Sequence, residues 1–471
     1  MADMTFKEVK NIEPLQSVDD NDMLLGYSAS GNKIGLISVG KVNSTQWAGC
    51  RWRKDSVTTV GEPCGSITKL ERLAELLGLG GYMVQNDHSR RKLSADNHNY
   101  FTNGAAASLA GDMGHYQWGW GVTLYYAYWE DETYLYEAID VKPIPGHLNY
   151  VVPPGSRSCA GYATLDRTNN ILVSYVSYQA QYRGGNNDSS LDALFNSQLC
   201  KPAVATSIVN FAAAARRNGN MWMANSRVMF FMTAAIKRIV FHNRNIQAGY
   251  NGTLTANGLR QGGTGVGIDM PGDWSNIWKY YPYINLDCGV ENGDAIGTLS
   301  SSINDNGTTK TIKNIPVFYG LKNDYKYLYC MEEDVLLKCN ADKSQSVYIK
   351  HNIDGSTFDM TAIGDKVLVG RTPIYESANW SAIKKLNLDG LVMYPLEVGG
   401  TTATGWADSY YNPVAEGGLR GAACLGAADS GDIAGSAYLF GSHAPSDASA
   451  HLAACLCEFE RPFSTVPTLF S

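Results

Sequence analysis

The strongest helical periodicity in this chain stands in its middle and is flanked on both sides by strands, and that order limits what the chain can fold into. Residues 206 to 217 read as a helix closed by Gly219. Residues 226 to 242 read as a second, with Val228, Phe231, Met232, Ile236 and Ile239 recurring at helical spacing. Before them the chain is built mainly of aromatic and β-branched runs, and after Asn251 it turns Gly-rich and then strand-dominated to its end. Strands, two helices, then strands and loops make an α+β pattern, expected here as two helices packed on twisted antiparallel sheets.

With 471 residues, 44% hydrophobic and 18% charged, the chain can bury a large core and is expected to form two or three domains. Its 28 tyrosines, 10 tryptophans and 48 glycines suit a loop-rich β protein presenting aromatic surface. The formal net charge is -7 and no stretch concentrates Lys or Arg, so a nucleic-acid partner is not expected. The start MADMTFKEVKNIEP has no apolar signal core, and no window nears the ~20 apolar residues that span a bilayer. Synthesis in a cytosol without membrane insertion is the expectation.

Residues 1 to 44 read as a small β module. Met23 to Tyr27 and Lys33 to Val39 are apolar strands joined by the turn-forming Ser28-Ala29-Ser30-Gly31-Asn32. A module this small needs a partner to be stable. A central β-rich domain over 45–155 follows, with one amphipathic helix capped by Ser66 and Gly78. That helix is expected to bury Ile67, Leu70, Leu73, Ala74 and Leu77. Residues 116 to 140 read as a hairpin turning at Glu130-Asp131, and a further strand pair is expected at 170 to 183. Pro153-Pro154-Gly155 is the best candidate boundary before a third domain over 156–471.

Chemistry-bearing motifs are few. Gly262, Gly263, Gly265 and Gly267 lack the GxxxxGK[ST] pattern and read as a tight β connection. His88, His98, His115, His147, His242, His351, His443 and His451 never adopt HxH, HExxH or HxxxH spacing, and the ten cysteines form no CxxC pair. No metal and no cofactor is expected, although Asp429 with Asp432, and Asp287 with Glu291, place carboxylates in loops of the kind calcium uses. Cys455 and Cys457 would point the same way from one strand, which a redox site could exploit. GxSxG is absent, and no catalytic residue is assigned.

The stretch NIEPLQSVDDNDMLLGYSASGNKIGLISVGKV, residues 11 to 42, resembles a recurrent start of phage fibre proteins, with IEP in place of ELP. The resemblance implies a virion-attachment or oligomerisation module formed by Met23, Leu24, Leu25, Tyr27, Ile34, Leu36 and Val39. At the other end, Gly417-Gly418-Leu419-Arg420-Gly421, then Ala434-Gly435, then Tyr438, resemble the closing course of C-type-lectin-like domains of the formylglycine-generating-enzyme branch. The closing strand departs from that pattern, reading Cys457-Glu458-Phe459-Glu460-Arg461 where the family has GFR. Residues 214 to 267 are similar to the two helices and following loop of lectin-like virion proteins of gut phages, of the Bacteroidetes-infecting, crAss-like type.

These resemblances imply a virion fibre protein, on head or tail, assembled in a bacterial cytoplasm and not an enzyme. Its expected partners are other virion proteins through the N-terminus, further copies of itself as dimer or trimer, and a host-surface glycan or protein. The receptor face implied is Trp406, Asp408, Tyr410, Tyr411, Asn412, Asp429, Ser430, Asp432, Ser442, His443 and Asp447. A purely structural head-fibre or decoration protein is the alternative, and an oxidase-like or glycan-acting enzyme a third. Catalytic members of the branch use paired cysteines, for which Cys455 and Cys457 have the wrong spacing.

Overall fold

The computed structural model describes residues 23–28, 33–38, 47–191, 198–264, 282–305, 308–374, 379–399, 405–412 and 417–470. The chain divides into two compact units, Met1–Trp47 and Ala48–Ser471. In the first, strands Met23–Ser28 and Lys33–Ser38 pair antiparallel, with Met23 opposite Ser38 and Tyr27 opposite Ile34. Six of the seven residues assigned to attachment fall on these strands; Val39 lies outside the described residues.

The second unit is a β-rich α+β fold, the described residues being 38% strand and 14% helix. One six-stranded sheet runs in the order Thr468–Leu469, Leu148–Val152, Leu124–Glu130, Tyr134–Asp140, Ala48–Arg53, Glu62–Gly65. A second runs Trp222–Ala224, Leu456–Phe459, Gly155–Ser158, His115–Trp120, Gly80–Val84, Arg90–Lys92. The third and largest includes Tyr329–Cys339, Leu419–Cys424, Leu439–Phe440, Ser409–Tyr411 and Ser381–Asn387 as successive neighbours.

Four α-helices occur among the described residues. The predicted helix after Ser66 is two short ones, α1 (Ile67–Glu71) and α2 (Leu73–Leu77). The caps are as predicted: the Ser66 hydroxyl accepts the Lys69 N–H, and Gly78 closes α2 at φ 66°. Arg72 breaks the helical path between them (φ −106°, ψ 16°), so the apolar stripe does not stay on one face. Leu73 and Leu77 are buried, but Ile67 is 48% exposed. The 116–140 region does form a hairpin, Leu124–Glu130 with Tyr134–Asp140, while its first segment, His115–Trp120, belongs to the other sheet.

The strand pair expected at 170–183 is displaced to Thr164–Asp166 and Ile171–Val173. The Asp166 carboxylate accepts the N–H groups of Thr168 and Asn169 at 2.9 and 3.0 Å, and Asn170 takes φ 54°, so the turn closes early. In the Gly-rich region Leu254 bridges Arg260 across a turn with Gly258 at φ 75°; of the glycines read as a tight β connection, Gly262 and Gly263 follow this bridge and Gly265 and Gly267 lie outside the described residues.

No boundary exists at Pro153-Pro154-Gly155. Gly155 pairs with Trp120 on one side and Phe459 on the other, so the segment expected to separate domains runs through the centre of a sheet. The chain's end makes separation impossible. Leu452–Ala453 pairs with Tyr329–Cys330 in the third sheet, Leu456–Phe459 inserts into the second, and Thr468–Leu469 closes an edge of the first.

Helices α3 (Ile208–Arg216) and α4 (Arg227–Phe241) stand where predicted. Every residue of α4 from Arg227 to Ile239 is buried, three cations among them. Each meets a carboxylate. Arg227 Nη1 lies 3.0 Å from Asp334, Lys237 Nζ 2.7 Å from Asp324, and Arg238 grips Glu137 as a fork with Nε at 2.9 Å and Nη2 at 2.7 Å. Removing one member of such a pair strands a buried charge. Glu137→Leu is therefore expected to lower unfolding free energy by about 3–5 kcal/mol in denaturant titration, and Glu137→Leu with Arg238→Met to recover most of it.

Candidate functional site

In the third sheet the strand Ser409–Tyr411 runs parallel to Leu439–Phe440, with Tyr410 beside Leu439 and Tyr411 beside Phe440. Alternation then sends the members of each strand to opposite faces. Tyr410 and Leu439 are buried, whereas Tyr411 and Phe440 are half-buried on the outer side with ring centroids 5.0 Å apart.

Trp380, half-buried and preceding the strand Ser381–Asn387, packs on both. Its centroid lies 5.1 Å from Tyr411, 5.6 Å from Phe440 at 27° between planes, and 4.7 Å from Tyr438. Phe440 continues the contact to His443 at 4.9 Å edge-on and to Tyr329 at 5.7 Å. His451 closes the series, 5.4 Å from Tyr329 and 5.5 Å from His443. The result is one belt of rings, most of them half-buried, spanning four strands and the loop after Phe440.

Polar groups border the belt. Asp447 accepts from the Ala444 N–H at 2.9 Å and faces His443 Nδ1 at 3.1 Å, while the Tyr329 and Tyr438 hydroxyls meet at 2.9 Å beside Ser430. Burial and the neighbouring His443 push His451 down to about 4, so it is neutral near neutrality and able to accept or donate a hydrogen bond.

Of the residues assigned to a receptor face, Tyr411, His443 and Asp447 lie in this belt or on its border, Ser442 adjoins His443, and Ser430 and the exposed Asp429 flank Tyr329 and Tyr438. Asp432 is half-buried and holds Thr255 and Asn257 across a loop. Four others are not surface residues. Trp406, Asp408, Tyr410 and Asn412 are no more than 2% exposed. Their polar atoms build the scaffold: the Tyr410 hydroxyl meets Gln345 at 3.0 Å and Thr372 at 2.9 Å, and Asn412 donates to the Lys343 carbonyl.

Asp408 buttresses the loop before Tyr438. Its Oδ2 accepts the Ala437 N–H at 2.8 Å, and a Cβ on Gly435 would sit 2.1 Å from its Oδ1, so only glycine fits there. Trp380, Phe440, Tyr329 and His451 were not anticipated. Phe440 and His451 lie three and eight residues from His443, whereas Trp380 and Tyr329 reach the belt only through the sheet, of which sequence proximity carries no trace.

Two buried clusters bear on catalysis. The Cys455 and Cys457 sulfurs are 3.3 Å apart, and both are fully buried. Cys159, His98 and Asp294 form a row, with 3.9 Å from sulfur to His98 Nδ1 and 2.9 Å from Nε2 to Asp294. Lys322 and the Tyr116 hydroxyl, 2.7 Å apart, complete it. Cys159 and His98 are 0% exposed and Lys322 and Tyr116 1%, so this Cys-His-Asp row is a satisfied polar knot inside the core. Asp287 accepts from the Tyr178 hydroxyl, and among the described residues no group of three or more His, Cys, Asp or Glu side chains converges as metal ligands.

No family model matches the sequence, and no curated protein matches it.

Burial pushes Asp408 from 3.8 up to about 8, so the native state holds a proton there that the unfolded chain releases. Its contribution to stability is complete below the lower value and is lost as pH rises through the upper one. The difference in melting temperature between the native protein and Asp408→Asn should therefore change with pH across the interval from 3.8 to about 8, the variant losing less on the alkaline side. Parallel melting curves for the two proteins would refute this assignment.

Proposed function

We propose that this protein is a non-enzymatic phage virion fibre protein that anchors through its N-terminal β module and binds a host-surface glycan or protein through the aromatic belt, on a C-type-lectin-like scaffold. The observation that carries the reading is the belt itself. Trp380, Tyr411, Phe440 and His443 are half-buried and linked by ring contacts, and partly exposed aromatic clusters fixed by a sheet present contact area at little entropic cost. The rim of Asp429, Ser430 and Asp447 supplies hydrogen-bonding groups around an apolar centre, as recognition surfaces do.

The lectin-like assignment rests on sequence resemblance and is supported by the placement of its motif. Leu419 to Gly421 open the strand Leu419–Cys424, Gly435 packs against Asp408 at the start of the turn that leads to Tyr438, and Tyr438 enters the belt. The attachment role is supported by the separateness of the hairpin unit, and self-association by its small size. The burial of the Cys159 row and of the Cys455–Cys457 pair favours binding over catalysis.

The test is binding of the purified full-length protein to host-type cells, beside Trp380→Ala, Phe440→Ala and a chain beginning at Ala48. Each belt substitution is expected to weaken cell binding by about ten-fold or more with little change in melting temperature. The shortened chain should still bind cells but no longer join particles lacking the protein. If no form binds cells while the full-length chain restores particle assembly, the protein is a decoration subunit and the receptor role is wrong.

A further inference from the structure

A second surface differs from the belt in kind. Immediately after the left-handed cap of α4 at His242, the chain carries Arg244, only 7% exposed. Its guanidinium lies over two indoles, 4.9 Å from the Trp52 centroid and 4.7 Å from Trp406. Unlike the three cations of α4, it meets no carboxylate among the described residues. Glu137, whose charge reaches it, is held by the fork of Arg238, and Arg244 Nε is buried without a hydrogen-bond partner. Burial lowers its pKa to about 10, which leaves it charged at neutral pH.

A guanidinium buried without a carboxylate partner is a cost to the fold, which an anion entering from outside would offset. Arg244 and Trp406 line an open cleft of about 300 Å³. The cleft's lining carries five cations (Arg53, Lys54, Arg244, Lys384, Lys385) against two carboxylates (Glu130, Glu397). Lys54 and Lys384 face those carboxylates at 3.5 and 3.3 Å, whereas Lys385 is exposed and has no ion pair among the described residues. The accessible part of the remaining wall is apolar, chiefly Val57 with Leu135, and is backed by the buried Leu386 and Trp406. The volume is at the small end of ligand sites, which run from about 300 to 1,000 Å³, and suits one sugar ring rather than a chain.

We infer that this cleft is an anion-binding subsite for one carboxylated sugar unit, with Arg244 as the buried carboxylate-binding group, Lys385 as the rim charge and the apolar wall against the sugar's C–H face. An Arg offers two parallel N–H donors to a carboxylate, a geometry an ammonium cannot provide. The choice of a sugar as carrier rests on the surface-binding reading above; the anion site itself does not.

The probe is glucuronate, titrated calorimetrically into the full-length protein at low salt, with glucose and inorganic sulfate as controls. Saturable glucuronate binding that raises the melting temperature, is absent for glucose, and weakens with added salt is expected. Lys385→Glu, an exposed change, should weaken it about five-fold. Arg244→Gln should weaken it at least about ten-fold while retaining the native circular dichroism, and should raise or leave unchanged the melting temperature of the unliganded protein. Trp380→Ala should leave glucuronate binding intact, so failure of the belt reading and failure of this one are separable. Glucose binding as well as glucuronate, undiminished binding in Lys385→Glu, or no glucuronate binding at all would overturn the proposal. Sulfate binding as tightly as glucuronate would overturn the sugar assignment.

Discussion

Everything in the second unit is arranged around one helix that carries charge into the core. Of the cations on α4, Arg227 reaches Asp334 on one strand of the largest sheet, Arg238 reaches Glu137 in a different sheet, and Lys237 reaches Asp324 in the segment between strands. Hydrophobic burial around Phe230, Phe231, Ile236 and Ile239 supplies the attraction, but it is non-directional and would tolerate many orientations of the helix. The ion pairs do not. A charge buried in a medium of low dielectric is tolerable only against its partner, so each pair sets the rotation and depth of α4 relative to one layer of the fold. The acidic triplet Glu332-Glu333-Asp334 shows the same logic from the other side. It falls where the pairing of Tyr329–Cys339 with Leu419–Cys424 slips register, and the bulge turns Glu333 to Arg216 and Asp334 to Arg227. Glu332 gains no such cation contact, and burial holds its carboxyl well above the ordinary range.

The C-terminal segment converts that core into a single body. Because residues 452 to 469 visit the three main sheets in turn, the order of sheets in space is not their order in sequence. The belt inherits its rigidity from this threading: Tyr410, Asp408 and Asn412 are fixed inward by Gln345, Ala437 and Lys343, which leaves Tyr411 and Phe440 only the outer face. Recognition by half-exposed rings depends on such buried polar contacts beneath them, since an aromatic side chain free to rotate would lose entropy on binding.

What the sequence made legible follows from how local each signal is. Helices α3 and α4, the caps at Ser66 and Gly78 and the hairpin at 124–140 are written in residues a few positions apart, and all are found. Exposure is not local. Asp408 and Asn412 read as surface residues because polar side chains in Ser- and Gly-rich stretches usually are, but here both are buried and each finds one hydrogen bond. Pro153-Pro154-Gly155 reads as punctuation by composition, and nothing nearby reveals that Phe459, three hundred residues on, pairs with Gly155. The belt was half legible for the same reason: Tyr411, His443, Asp447 and His451 lie in one stretch, whereas Trp380 and Tyr329 join them only through the sheet.

The two surfaces share their support. Strand Ser381–Asn387 and the segment from Gly405 to Tyr411 each pass from the cleft to the belt, with Lys385 and Trp406 at one end and Trp380 and Tyr411 at the other. Five residues of extended chain separate Trp380 from Lys385, a rise of about 17 Å at ~3.3 Å per residue. Over that distance the character of the interior changes. Beneath the belt, the Tyr410, Asn412 and Asp408 side chains are each held by hydrogen bonds; beside the cleft, Arg244 is buried over Trp52 and Trp406 and meets no carboxylate among the described residues. A fold that matches Arg227, Lys237 and Arg238 so closely could have matched a fourth cation or replaced it with an apolar side chain at no loss of packing. Leaving Arg244 charged beside open space keeps stability in reserve for a ligand, and it places that reserve on the same strands that hold the aromatic face.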